Sequence, residues 1–187
     1  MASSRKQHLI DTALKIFYEE GFHSTGIDKI LAESGVAKMT MYKHFPSKSD
    51  LIRAVLEERD RRFREWFTGQ VRERADSPRE RLEAAFDVLG DWICGEDFRG
   101  CMFINAAAEF SNKDETIAKV AADHKRLMLE FLQELTEKAG AREPETLAYR
   151  LCLLLEGAIV MGHVCGDTNA AEKAKGAAIL LLQSTLS

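Results

Sequence analysis

The residues best suited to chemistry in this chain lie together in one seven-residue stretch, Lys38-Met39-Thr40-Met41-Tyr42-Lys43-His44. Its ammonium, hydroxyl, phenol and imidazole groups can donate to phosphate oxygens and to the acceptor edges of bases. Met41 and Phe45 are spaced to pack inward and hold that polar face outward. The patterns that would mark an enzyme are absent: no metal-spaced His/Glu cluster, no glycine-rich phosphate loop, no nucleophile elbow and no triad-like arrangement. The expectation is therefore a binding protein rather than an enzyme, with no cofactor and no metal.

Composition bounds the setting for that stretch. A chain of 187 residues, 45% hydrophobic and 30% charged, makes one compact domain or a small module on a larger one, and excludes two large domains. Only 12 Gly and 3 Pro argue for a helix-rich chain, against collagen-like and disordered classes. Cys94, Cys101, Cys152 and Cys165 form no Cys-x-x-Cys pair, and Met1 to Asp11 has no apolar signal region, so a cytoplasmic protein with reduced thiols is expected. The longest wholly apolar run, Ala177 to Leu182, is far short of the roughly 20 residues of a membrane-spanning helix, so no membrane partner is expected. The net charge of −4 is unevenly spread: residues 1–64 hold 12 Lys+Arg against 9 Asp+Glu, the remainder 14 against 21. That division suits an anion-binding head on an acidic body.

Periodicity supplies the elements that position the polar stretch. Leu9, Ile10, Ala13, Leu14 and Phe17 recur at helical steps within a first helix over Ser3 to Glu20, which Gly21 stops. Thr25-x-x-Asp28 reads as a capped start for a short second helix ending near Ser34, and Gly35-Val36 turns into a third over Lys38 to His44. Ser47 to Asp50 caps a long fourth helix reaching Arg74. Ser77-Pro78-Arg79-Glu80 opens a fifth that ends before Gly95. Cys101 to Phe110, Asp114 to Ala139, Pro144 to about Cys165, and a segment from Asn169 to the C-terminus complete nine helices of an all-α fold. The one plausible domain boundary lies near Ser47, giving residues 1–47 and 48–187.

Two short helices joined by a glycine turn and braced by a third outline a helix-turn-helix, whose second helix, here Lys38 to His44, enters the DNA major groove. Phe17-Tyr18-Glu19-Glu20-Gly21-Phe22, Thr25, Ile27, Ile30, Ser34-Gly35-Val36 and the run from Thr40 to Leu51 together resemble the N-terminal domain of TetR-family transcriptional regulators, over roughly residues 5 to 55. The resemblance implies a ligand-responsive regulator of repressor type. It would bind a palindromic double-stranded operator as a homodimer and be released by a small-molecule effector held in its C-terminal body. Carried over by position, it implies phosphate contacts from Thr25, Tyr42, His44 and Lys48. Lys38, Met39, Thr40 and Lys43 remain for base edges, and Tyr42 can serve both roles. Two positions depart from the family pattern. Ala37 leaves the recognition helix without a side-chain cap worth about 1 kcal/mol, and Met39 stands where a small residue is common.

In the body, Leu154, Gly157, Ala158, Met161 and Gly162 face Ala174, Ala177, Ala178, Leu181 and Leu182 in composition, and small residues permit close helix approach. The resemblance implies that the last two helices form a four-helix bundle across a two-fold axis. Leu154, Ala158, Met161, Ala174, Ala177, Ala178 and Leu181 are thereby the interface candidates. Phe63, Trp66, Phe67, Phe86, Trp92, Phe103, Asn105, His124, Met128, Phe131, Cys152 and Glu156 are the effector-pocket candidates, apolar lining with few polar anchors. Asn105 and Glu109 stand i and i+4 on one short helix, within reach of each other. Cys101, near that helix's start, is a candidate redox thiol with Cys94 as partner.

Overall fold

The computed structural model describes residues 4–110 and 115–185. Among them are nine helices and no strand: α1 (Arg5–Glu20), α2 (Ile27–Ser34), α3 (Lys38–His44), α4 (Lys48–Arg74), α5 (Pro78–Ile93), α6 (Met102–Glu109), α7 (Glu115–Lys138), α8 (Pro144–Cys165) and α9 (Ala170–Thr185). The all-α class and the nine-helix order are those read from the sequence. The expected helix starts at Ser3 and Asp114 lie outside the described residues.

Most boundaries follow from local chemistry. Ser4 accepts the Gln7 N–H at 3.2 Å and starts α1. Ser47 accepts the Asp50 N–H at 3.1 Å while Asp50 accepts the Ser47 N–H at 3.0 Å, the reciprocal pair that launches α4. Ser77 and Glu80 repeat the arrangement for α5, with Pro78 in its first turn. One expected start differs. Thr25 does not cap α2; Gly26 is its N-cap, without a side-chain bond, because the Thr25 hydroxyl donates to the Gly21 carbonyl at 2.7 Å. At α9 the spacing Asn169-x-x-Glu172 predicts a cap at Asn169; there the Asn169 N–H donates to Asp167 Oδ1 at 3.1 Å, so Asp167 takes part in organising the start.

The chain packs as two compact units, Met1–Arg62 with Cys101–His124, and Phe63–Gly100 with Lys125–Ser187. Both α4 and α7 contribute to each unit. In the first, α1 packs on α2 and α3, burying Leu9, Ala13, Phe17, Ile30, Met41 and Phe45. Each of these side chains larger than Ala13 is worth about 2 kcal/mol against exposure. The packing places the first half of α4, α6 and the start of α7 with the three N-terminal helices, a larger grouping than residues 1–47. In the second unit α9 packs on α5 and α8. Gly162 is needed there, since a Cβ on it would meet the Ile93 side chain at 2.8 Å.

Candidate nucleic-acid interface

The α2–α3 turn fixes the direction of α3. Gly35 adopts φ +64°, a left-handed conformation that favours glycine, and its N–H closes on the Leu31 carbonyl at 3.0 Å. Buried Ser34 accepts the Val36 N–H at 3.3 Å, and its carbonyl meets His8 Nε2 of α1 at 3.0 Å. The turn is thus tied to the bracing helix at a polar point as well as an apolar one. Met41 has no exposed surface and Phe45 is 3% exposed, so both anchor inward as their spacing predicts.

That anchoring presents the opposite face of α3. Lys38, Met39, Tyr42, Lys43 and His44 are exposed and Thr40 is half-buried. Met39 is 84% exposed and Tyr42 42%. Ala37 caps α3 without a side-chain bond, as its residue type requires. Lys38 lies 3.3 Å from Asp28, in an exposed pair that holds it only weakly. Lys48 opens α4 half-buried. Burial pulls its ammonium below the ordinary lysine range, and the Glu109 carboxylate partly offsets this.

Thr25 takes a different place from the phosphate contact the resemblance implies. It is fully buried, and its hydroxyl is engaged with Gly21. The residue that organises this corner is Glu109, at the end of α6. Its Oε1 accepts the Phe22 N–H at 3.0 Å and its Oε2 the His23 N–H at 2.6 Å. Phe110 adds edge contacts to Phe22 and to the His23 ring, with centroids 5.8 and 4.6 Å apart. Helical spacing relates Glu109 to Asn105 and gives no sign of this reach of 86 and 87 residues along the chain.

The effector candidates fall into both units. In the second, Phe63 gathers Trp66, Phe67 and Trp92 at 5.6, 5.7 and 5.0 Å, and Phe67 meets Phe131 at 6.3 Å. Phe67 and Phe86 are core residues, 2% and 1% exposed. Met128 and Phe131 border an open hollow of about 260 Å³ with Arg64, Thr68 and Arg72. Glu156 accepts both its contacts from Lys125, at 2.6 and 2.7 Å. Burial, followed by the Glu156 charge, pushes the half-buried Cys152 thiol above its ordinary range. In the first unit His124 is 3% exposed, its Nδ1 is 2.8 Å from Asp60, and its ring lies flat on Phe103 at 3.7 Å. That geometry ties α7 to α4 and α6. Asn105 is half-buried on α6. Cys101 is the buried N-cap of α6, and Cys94 is exposed at the end of α5 with its Sγ 3.6 Å from the Thr168 carbonyl.

The interface candidates on α8 and α9 divide. Ala158 and Ala178 are buried within the chain itself, at 4% and 0% exposure, so they pack its own core rather than an outer face. Leu154, Ala174, Ala177 and Leu181 are half-buried, and Met161 is exposed. The outward apolar stripe runs through positions the composition argument passes over: Tyr149, Leu153, Val160 and Val164 on α8, and Leu180 on α9. Gly157 and Gly176 lie along it with open space at their Cβ positions. A helical phase fitted to exposure would have found these residues, since 149, 153, 157, 160 and 164 repeat at three- and four-residue steps. Because α8 is apolar on two sides, it is the one helix among the described residues long and apolar enough to cross a membrane, yet 39% of that window is buried within the protein.

Comparison with known proteins agrees with the geometry of α1 to α3. Residues 9–55 match the model of bacterial regulatory proteins of the tetR family, and residues 78–178 the tetracyclin repressor-like C-terminal domain. The HTH-type transcriptional activator FasR of Mycolicibacterium smegmatis is 33% identical over 65% of this chain and 52% of its own length. The uncharacterized HTH-type transcriptional regulator YuxN of Bacillus subtilis is 26% identical over 82% and 52%. The chain spans about half the length of these two curated relatives. A TetR-family transcriptional regulator from Streptomyces coelicolor superposes with a TM-score of 0.89 at 31% identity, covering 98% of this chain and 96% of that one. With a TM-score of 0.84 at 26% identity, a further TetR-type regulator from Streptomyces avermitilis covers 98% of each chain. A helix-turn-helix with buried anchors, an all-α order of nine helices among the described residues and matches over both halves have one reading: this chain belongs to the TetR family of DNA-binding transcriptional regulators.

Proposed function

We propose that this regulator binds a palindromic operator as a homodimer and represses transcription until a small-molecule effector releases it. The observation that carries the DNA contact is the exposed face of α3, where Met39, Tyr42, Lys43 and His44 stand outward over fully buried Met41. Tyr42, His44 and Lys48 contact phosphates, and Lys38, Met39, Thr40 and Lys43 face base edges. Thr25 supports the helix that carries this surface. In this reading residues 1–47 are the DNA-binding domain and residues 48–187 hold effector binding and dimerisation, in the cytoplasm, where the chromosome is accessible.

The dimer reading rests on the α8–α9 stripe. Tyr149, Leu153, Val160, Val164 and Leu180 leave large apolar side chains in water, a cost that a partner removes. Gly157 and Gly176 have the open space that lets two helix pairs approach. The effector reading rests on the second unit's ring cluster, where Phe63, Trp92 and Phe131 are only half-buried and Trp66 is 40% exposed.

A transcription assay with and without the chain tests the regulatory sign. Output from the bound promoter rises on deletion for a repressor and falls for an activator, the activity named for the Mycolicibacterium relative. Sedimentation of the free protein and of its complex with the retained duplex tests the homodimer.

A further inference from the structure

Met39 is the most exposed large apolar side chain among the described residues, at 84%. It stands second in α3, with Tyr42 and Lys43 three and four positions on. These residues and Thr40 border one shallow hollow. A thioether in that place has no hydrogen-bond donor to offer; it brings a flexible, polarizable apolar tip. A recognition helix lays its N-terminal side chains against base edges. The apolar group that base pairs display in the major groove is the 5-methyl of thymine. Lys38, the neighbouring residue that would favour guanine acceptors, has its ammonium 3.3 Å from Asp28 of α2. Lys38 is exposed as well and held only weakly by that pair, so the start of the helix offers one cation and one apolar tip, and Met39 is the side chain there suited to an apolar group.

We propose that Met39 is a specificity-determining residue that reads the 5-methyl group of one thymine in each operator half-site. The inference rests on the DNA-binding function argued above and adds to it the chemical group that is read. Contact between the thioether and the methyl removes apolar surface from water on both sides. A cytosine, or a uracil with the same hydrogen-bonding edge as thymine, leaves Met39 without that contact.

The test begins with full-length protein and a pool of random-sequence duplexes, from which the retained sequence is read. Each thymine of that duplex is then replaced singly by deoxyuridine, which deletes the methyl and keeps every hydrogen-bonding group. One thymine per half-site is expected to lose about fourfold in affinity on this replacement. Met39→Ala, at an exposed helical position that tolerates alanine, is expected to bind more weakly, to be indifferent to that one replacement, and to keep its dependence on salt. If no deoxyuridine costs affinity, or Met39→Ala keeps the same methyl sensitivity, the proposal is overturned while DNA binding stands. If no sequence is retained and no duplex is bound, the DNA-binding function falls and the proposal falls with it.

Discussion

The Glu109 carboxylate accepts the backbone N–H of His23 at 2.6 Å, and with its other oxygen that of Phe22 at 3.0 Å. The last residue of α6 thereby fixes the turn that joins α1 to α2. Glu109→Ala leaves two turn N–H groups without this acceptor. The expected result is a loss of about 2 kcal/mol, a fall of about 4 to 8 °C in Tm. Hydrogen exchange should quicken at the Phe22 and His23 amides while the amides of α9 keep their rates. Unchanged exchange at those two amides would contradict the clamp.

Thr25 and Lys48 separate structural support from the proposed phosphate contact. Thr25→Val removes the bond to the Gly21 carbonyl and should cost about 1 kcal/mol of stability. It should leave the slope of log affinity against log salt unchanged. Lys48→Ala should do the reverse. In the proposed homodimer it should delete two of the proposed phosphate contacts and flatten that slope by about 2 with little change in melting. Salt titration of both variants on one duplex, beside their melting curves, checks the pair.

The outward stripe predicts where the proposed dimer breaks. Leu180→Glu and Val164→Glu place charge on exposed apolar positions and should yield a folded monomer with a cooperative melt, read by sedimentation. Ala178→Glu, at a position with no exposed surface, should instead destabilise the chain itself by several kcal/mol. Were Leu180→Glu and Val164→Glu both to remain dimeric, the interface would lie elsewhere.

Glu58 gives the pH dependence a sign. Its hydrogen bond from Arg61 holds its carboxyl below the ordinary glutamate range; burial opposes this, and Arg62 adds to the downward pull. A carboxyl depressed on folding stabilises the protein above its unfolded pKa, and that contribution is lost as pH falls through the lower folded value. Glu58→Gln should therefore be less stable than the parent at neutral pH, by about 0.5 to 1 kcal/mol for a pair whose arginines are solvent-exposed. The difference should vanish in acid. A difference that persists at pH 2 would assign the effect to something other than this charge.

Helix order was legible in the sequence because caps and stops are local: Ser47 with Asp50, Ser77 with Glu80, and Gly35 need only neighbouring residues. The outward face of α3 was legible for the same reason, since Met41 and Phe45 betray their burial by spacing within one turn. Thr25 and Glu109 were not. A threonine hydroxyl beside a helix start suits a cap, a phosphate or a backbone carbonyl equally well, and the Gly21 carbonyl wins only once α1 has ended where it does. The partners of Glu109 are backbone groups, which carry no residue-type signal at any separation. On α8 and α9, small residues indicate close packing without saying on which side, so Ala158 and Ala178 turn inward while Gly157 and Gly176 turn out.

The outward face of α3 is the surface proposed to grip duplex DNA. The direct measurement is binding of the selected duplex by the chain carrying Tyr42→Ala, Lys43→Ala and His44→Ala together, with its melting curve taken alongside. The account predicts a loss of at least about 100-fold in affinity with an unchanged melt, because all three side chains are exposed. A variant that melts as the parent does and binds the duplex undiminished would contradict it.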